Sequence, residues 1–225
     1  MDKKPITIAL AGNPNSGKTT VFNNLTGTRQ RVGNWPGVTV EKKEGSLSFQ
    51  DYGIKVVDLP GVYSLTAYSL DEVIARNFII DGQPDVVVDI VDASNLERNL
   101  YLTVQLLEMK PKLIIGLNML DVAESRGYKI NIPELSSLLG SPVVPMIASQ
   151  NKGTQELLHT IINITEGRIK TTGISLQYGH DVEAEIAKLE ERFSGNPVSE
   201  HYSPRWLAVK LLEEDEEITK KLQQV

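Results

Sequence analysis

Cysteine is absent from the 225 residues, which removes disulfide frameworks, thiolate metal sites and thiol nucleophiles at once. Long apolar runs are missing too: no stretch approaches the ~18 residues of a membrane span. Met-Asp-Lys-Lys-Pro leads directly into a strand-like segment without a secretory h-region, so a cytosolic chain is the expectation. There is also no basic stripe. The net charge is −6, and from Asp181 onward eleven acidic side chains face six basic ones, leaving the remainder near neutral. Nucleic-acid binding takes clustered Lys and Arg, so no nucleic-acid partner is expected. His159, His180 and His201 are scattered and show no metal-ligand spacing. What is present, 40% hydrophobic and 23% charged residues, describes a globular chain with room for one sizeable core and a smaller appendage.

Apolar runs alternate with helical patterns through about residue 166. Strands are expected at Ile6–Ala11, Leu47–Phe49, Ile54–Leu59, Val86–Val91, Leu113–Leu117 and Val143–Ile147. Most are continuous β-branched runs, as suits strands buried on both faces of a parallel sheet. Gln50-Asp51-Tyr52-Gly53 reads as a hairpin turn, so the second and third strands should pair antiparallel. Helices are expected at Lys18–Leu25, Leu70–Ile80, Leu96–Glu108, Pro133–Leu139 and Thr154–Ile164. The expected fold is α/β: a doubly wound, mostly parallel six-stranded sheet with one antiparallel edge strand, binding its ligand at the carboxyl ends of the strands. Gly167 to Gly179 reads as a connector. Beyond it Val182, Ile186, Leu189 and Phe193 mark one helix, stopped by Gly195-Asn196-Pro197. Trp206, Val209, Leu212 and Ile218 mark a second apolar stripe, so residues 167–225 form a small all-α subdomain after a 1–166 domain.

The chemistry begins at Gly12-Asn13-Pro14-Asn15-Ser16-Gly17-Lys18-Thr19, with Thr20 following. This is a G-x-x-x-x-G-K-[ST] phosphate loop set between a strand and a helix, the P-loop NTPase arrangement. The glycines let successive N–H groups point at the phosphates, Lys18 reaches the β/γ oxygens, and the Thr19 hydroxyl can ligand Mg²⁺. Asp58-Leu59-Pro60-Gly61 ends the third strand, where the carboxylate can reach Mg²⁺ through water and the Gly61 N–H can sense a γ-phosphate. In Asn118-Met119-Leu120-Asp121 the Asp121 carboxylate can accept from N1–H and the exocyclic amine of guanine, a donor pair that adenine lacks. This stretch resembles the N-K-x-D signature of Ras-like GTPases, with Met119 where Lys is usual. Guanine specificity should survive through Asp121 with weaker affinity. Backbone N–H groups of Ala148 and Ser149 are candidates for guanine O6. Thr39, in the glycine- and proline-bearing loop Arg31–Glu41, is the candidate switch-I threonine that joins the Mg²⁺ shell with the γ-phosphate. Trp35 in that loop is either a buried anchor or a mobile lid. Val62 stands directly after D-x-x-G, where many Ras-like GTPases carry a water-orienting Gln. An aliphatic side chain cannot orient water. Asp89 is a carboxylate inside an apolar strand, expected to be satisfied structurally. Asp71-Glu72 reads as N-terminal helix charge.

Val32-Gly33-Asn34-Trp35-Pro36-Gly37-Val38-Thr39-Val40-Glu41 resembles the switch-I signature of the ferrous-iron transport protein B family (FeoB). So do Asp58–Leu65, Asp92–Leu102 and the methionine of Asn118-Met119-Leu120-Asp121. The resemblance covers residues 5–166, and the acidic helical segment is similar to that family's helical spacer by position and pattern. It implies a GTPase domain of a ferrous iron transporter, binding GTP and GDP with Mg²⁺, on the cytoplasmic side of a membrane. It implies a C-terminal transmembrane region as partner in the full-length protein, and leaves open a homo-oligomer. It also implies that Asn15 ligands a potassium ion beside the phosphates, with the backbone carbonyls of Gly33 and Trp35 completing the site. Such an ion would offset charge growing between the β- and γ-phosphates, placing Lys18, Asn15 and Thr39 as the catalytic set. A structural role for Asn15, hydrogen-bonding switch I, is the alternative. Two competing readings are a nucleotide sensor in which hydrolysis only resets the switch, and a ribosome-associated GTPase, which the acidic charge disfavours.

Overall fold

The alternating patterns resolve, in a computed structural model describing residues 3–172, 174, 176–195 and 202–223, into an α/β sandwich followed by helices. The strands are β1 (Lys4–Gly12), β2 (Gln30–Asn34), β3 (Glu41–Phe49), β4 (Tyr52–Asp58), β5 (Val86–Asp92), β6 (Leu113–Asn118) and β7 (Val143–Pro145). They form one seven-stranded sheet in the order β2-β3-β4-β1-β5-β6-β7. From β4 to β7 every pairing is parallel, while β3 pairs antiparallel with both β4 and β2. Strand β2 is one more than the six expected. Its residues Gln-Arg-Val-Gly-Asn are all exposed, so no apolar alternation announces it. It forms through main-chain pairing with the open edge of β3.

Helices cover both faces of the sheet. Helices α1 (Lys18–Thr26) and α6 (Thr154–Thr165) lie on one face, where Val21, Phe22, Leu157 and Ile161 meet Ile8, Leu10, Val88 and Ile90. On the other face α2 (Leu70–Asp81), α3 (Leu96–Glu108) and α5 (Ile132–Leu139) pack Ala75, Leu102, Leu106 and Leu139 on Ala9, Val57, Val87 and Val91. Neighbouring strand residues thus serve opposite layers, which is why the central strands read as unbroken apolar runs. A short helix α4 (Leu120–Ser125) follows β6. Its six residues carry too little periodicity to be read from sequence.

The C-terminal part contains α7 (His180–Phe193), α8 (Pro204–Leu212) and α9 (Glu216–Gln223). The second apolar stripe is therefore two helices. The chain breaks at Glu214, with φ 56, and Asp215 restarts it by accepting from the Ile218 N–H at 3.1 Å. Phe193, Trp206, Leu207 and Ile218 form a small core that also touches Ile80 of α2. Asn196, Pro197 and His201 lie outside the described residues. Among the described residues no helix is long and apolar enough to cross a membrane.

Candidate nucleotide site at the carboxyl edge of the sheet

The order reverses at β1, whose neighbours β4 and β5 lead to opposite ends of the sheet, and a crevice opens there at the carboxyl edge. Gly12, Asp58, Asp92 and Asn118 all end strands on this edge. The phosphate loop rises from β1 and closes into α1 through Gly17, at φ 88. Glycine is demanded at both ends of the loop. A Cβ at Gly12 would sit 2.6 Å from the Ile90 carbonyl oxygen, and one at Gly17 would collide with the Asn118 carboxamide. The loop's own backbone can therefore approach an anion closely, with the positive end of α1 behind it.

Lys18 is buried with its Nζ ion-paired to Asp58 and hydrogen-bonded to the Leu59 carbonyl at 2.6 Å. The two charges expected to meet phosphate and metal thus neutralise one another across the crevice. Thr19 and Thr20 are exposed at the head of α1, and Pro14 is half-buried. Asn15 is exposed at φ 66, and its carboxamide makes no hydrogen bond among the described residues. It does not hold switch I in this structure.

Asn118 does more than the sequence suggests. Its Nδ2 donates to the Ser16 carbonyl at 2.9 Å and its Oδ1 accepts from the Ala148 N–H at 2.9 Å. One buried side chain thereby ties the phosphate loop to the loop after β7. The Ala148 N–H, expected to serve a guanine O6, is spent on this tie because a buried N–H must be paired. Ser149 beside it is exposed. Asn24 of α1 donates to the Ala148 carbonyl at 2.8 Å, a second tie that only the fold reveals. Met119 takes φ 60 at the head of α4, and Asp121 follows in the first turn, half-buried. The Asp121 carboxylate has no internal partner among the described residues.

Gly33, Trp35 and Thr39, expected to form switch I, make no hydrogen bond to the phosphate loop among the described residues. Gly33 lies in β2 opposite Lys42, and Thr39 is exposed in the turn beyond it. Trp35 is an anchor, not a lid: it is 7% exposed among the core residues of the α2 face. Its ring meets Phe78 edge-on at 5.4 Å and lies under Lys42 Nζ at 4.7 Å. Its backbone N–H donates to the Val40 carbonyl at 2.9 Å, closing the turn. Gly33, Trp35 and Thr39 thus belong to a hairpin whose hydrogen bonds close on itself.

The stretch expected to sense a γ-phosphate, termed switch II, begins at Asp58. Val62 is buried in the core, so no side chain directly after Gly61 reaches water in the crevice. Glu72 gathers the following loop: it accepts from Ser64 Oγ at 2.8 Å and from the Tyr68 N–H at 2.9 Å. With Ser69 it forms a capping box on α2. Asp71 and Glu72 do supply N-terminal charge, and the S-x-x-E spacing from Ser69 was the available signal for Glu72's larger role. Farther back, Asp89 is 1% exposed in β5 and accepts from Thr103 Oγ1 at 2.6 Å. Burial pushes its carboxyl up to about 7, against the lowering effect of the Thr103 hydrogen bond. Among the described residues no cluster of His, Asp and Glu could hold a metal.

Two family models match the chain. One is "Ferrous iron transport protein B", over residues 6–161, and the other "FeoB cytosolic helical domain", over residues 178–225. The Fe(2+) transporter FeoB of Escherichia coli K12 is 56% identical over 158 residues, covering 68% of this chain and 20% of that protein. An Fe(2+) transport protein A/Fe(2+) transporter FeoB fusion protein of Porphyromonas gingivalis is 46% identical over 219 residues, covering 96% of this chain and 26% of that protein. The chain thus spans a fifth to a quarter of the length of these relatives. The cytosolic domain of the T. maritima FeoB iron transporter in its GDP form II superposes with a TM-score of 0.92 at 41% identity, covering 96% of this chain and 85% of that one.

Proposed function

Because the chain belongs to the ferrous iron transport protein B family, we propose that residues 1–166 act as its GTPase domain and residues 167–225 as its connector and helical spacer. The chain is a guanine-nucleotide-binding domain that hydrolyses GTP to GDP and phosphate. The observation that carries this is the Asn118 tie between Ser16 and Ala148. It sets the phosphate loop and the base loop in fixed relation, with the unpaired Asp121 carboxylate beside it. Structures of the T. maritima relative in GDP and GMPPNP forms support the same assignment. In the full-length protein the domain sits on the cytosolic face of a transmembrane region and regulates Fe(II) passage through it.

The residues fit the expected ions in donor chemistry. Thr19 Oγ1 and the Asp58 carboxylate would hold Mg²⁺, with Thr39 added once switch I leaves its hairpin. The unbonded Asn15 carboxamide offers a hard oxygen for K⁺, with Gly33 and Trp35 carbonyls arriving by the same movement. When bound, these cations supply positive charge against the triphosphate. The chain's own part begins with Lys18. A phosphate in the loop draws its ammonium away from Asp58 and Leu59, which frees the Asp58 carboxylate. Since Val62 is buried, hydrolysis depends on backbone and cation and not on a side chain at that position, so turnover is slow.

The test is GTP turnover in potassium and in sodium for the wild type and Asn15→Ala, with nucleotide saturating. Faster turnover in potassium, lost in Asn15→Ala with nucleotide affinity kept, is expected. Equal rates in both salts would remove the cation from the mechanism, and no turnover in either would remove the GTPase assignment.

A further inference from the structure

The phosphate loop holds a buried polar side chain with no hydrogen-bond partner among the described residues. Asn13 is 3% exposed, and neither its Oδ1 nor its Nδ2 has a hydrogen-bond partner among the described residues. A carboxamide buried in this way forfeits its hydration without replacement. Backbone register defines what runs beside it. Leu10 pairs with Asp58 in the parallel β1–β4 ladder. Past the strand ends, the Leu59 N–H donates to the Leu10 carbonyl at 3.0 Å and the Val62 N–H to the Gly12 carbonyl at 3.3 Å. The start of switch II therefore lies along Leu10–Asn13, and a Cβ at Gly61 would stand 3.5 Å from Pro14.

Within that stretch the Leu59 carbonyl is satisfied by Lys18 Nζ, at 2.6 Å. Leu59 is 1% exposed. When Lys18 leaves for a phosphate, the Asp58 carboxylate can turn to a metal or to solvent. The Leu59 carbonyl cannot turn, because it belongs to the main chain at a buried strand end. An unpaired donor and an acceptor about to lose its partner thus occupy adjacent stretches of backbone.

We propose that Asn13 is a positioning residue that takes over the Leu59 carbonyl through its Nδ2–H when Lys18 transfers to the phosphates. The inference rests on the nucleotide-binding reading above and adds a relay to it. Lys18 and Asn13 alternate on one carbonyl, so the start of switch II, including the Gly61 N–H, keeps its place while the lysine serves the ligand. In the free protein the idle carboxamide lowers stability, and in the complex it is paired.

The relay predicts a reversal of sign that needs no nucleotide to observe. Thermal melting is measured for the wild type, Asn13→Leu, Lys18→Ala and the double variant. Asn13→Leu removes an unpaired amide at nearly constant volume, so the midpoint should rise by about 2–4 °C. In Lys18→Ala the Leu59 carbonyl already falls to Asn13, so adding Asn13→Leu should lower the midpoint by about 2–4 °C. A shift of the same sign in both backgrounds, or none, would overturn the proposal. Should the leucine variant fail to fold, Asn13→Ala takes its place in the same cycle. GDP affinity gives the second reading: Asn13→Leu should weaken it about tenfold by stranding a buried carbonyl in the complex, and a change under twofold overturns the relay. Failure of the wild type to bind GDP would instead overturn the guanine-nucleotide reading, leaving the melting cycle to decide the role of Asn13 by itself.

Discussion

Arg76 of α2 and Asp215 at the head of α9 form an ion pair whose side chains are 0% and 3% exposed. It joins the helix that follows switch II to the helical subdomain. The same helix also contributes Asp81, which meets Lys221 Nζ at 3.1 Å and the Tyr202 hydroxyl at 3.2 Å. Helix α2 is therefore held at its start by Glu72 to the preceding loop, at its middle by Arg76 to α9 and at its end by Asp81 to Lys221.

Breaking the pair from one side should be severe. Arg76 keeps Nε and one terminal nitrogen without partners already, so Asp215→Ala would leave a buried guanidinium uncompensated and cost about 3–5 kcal/mol. Replacing both with apolar residues, Arg76→Met with Asp215→Leu, should recover most of that loss. Urea denaturation of the two variants checks it. Equal losses in the single and double variants would show that the charge is not what the interface protects.

Asp89 should make the fold less stable as pH rises. Unfolded, it titrates near 3.8, whereas in the fold burial raises it to about 7. Between those values the folded state keeps a proton that the unfolded chain has lost. Its favourable contribution is complete below pH 3.8, declines through pH 7 and is gone above it. Three pH units correspond to about 4 kcal/mol. Asp89→Asn retains an acceptor for Thr103 and removes the titration, so its stability at about pH 8 should exceed the wild type's. A wild-type profile with no downward slope between about pH 4 and 7 beyond that of the variant would contradict this.

Asn118 and Asp121 belong to one short motif yet should fail differently. Asn118→Ala strands the Ser16 carbonyl and the Ala148 N–H, costing about 2–4 kcal/mol of stability together with nucleotide affinity. Asp121→Asn touches no internal partner, so its melting temperature should stay within about 2 °C while guanine nucleotide binding falls. Melting curves and GDP titrations on the two variants separate frame from contact. A large stability loss in Asp121→Asn would mean that its carboxylate serves the fold.

The phosphate loop, Asp58 and the Asn118–Asp121 segment are legible in the sequence because each is a local constraint: glycines at tight approaches, polar residues at strand ends. The central strands are legible for a related reason, being apolar on both faces. Strand β2 is not, since its stability comes from the edge of β3 and its own residues are polar and exposed. The Lys18–Asp58 pair, the Asn118 tie and the Arg76–Asp215 pair join residues 40, 102 and 139 positions apart, distances over which no periodicity reports. The motifs place Asn15 and Thr39 in one site, but Thr39 lies in the hairpin that buries Trp35 and makes no hydrogen bond to Asn15 among the described residues. A motif names the residues of a switch and not which of its packings the free chain adopts.

That buried tryptophan offers a direct view of the second packing. The chain has two tryptophans, and Trp206 lies in the helical core, so Trp206→Phe leaves Trp35 as the only indole. In the free protein its emission should be blue-shifted, because the ring is packed against Phe78 and under Lys42. If Thr39 and the Gly33 carbonyl are to reach the nucleotide, the turn closed by the Trp35–Val40 hydrogen bond must open. A non-hydrolysable GTP analogue with Mg²⁺ and K⁺ should then shift the emission to the red, and GDP should shift it less. Trp35→Ala should release the hairpin without nucleotide at a cost of about 3 kcal/mol, and thereby narrow the preference for the triphosphate state. An emission spectrum that stays blue with the GTP analogue bound would mean that switch I keeps this hairpin throughout the cycle, and that Thr39 is not the residue that reads the γ-phosphate.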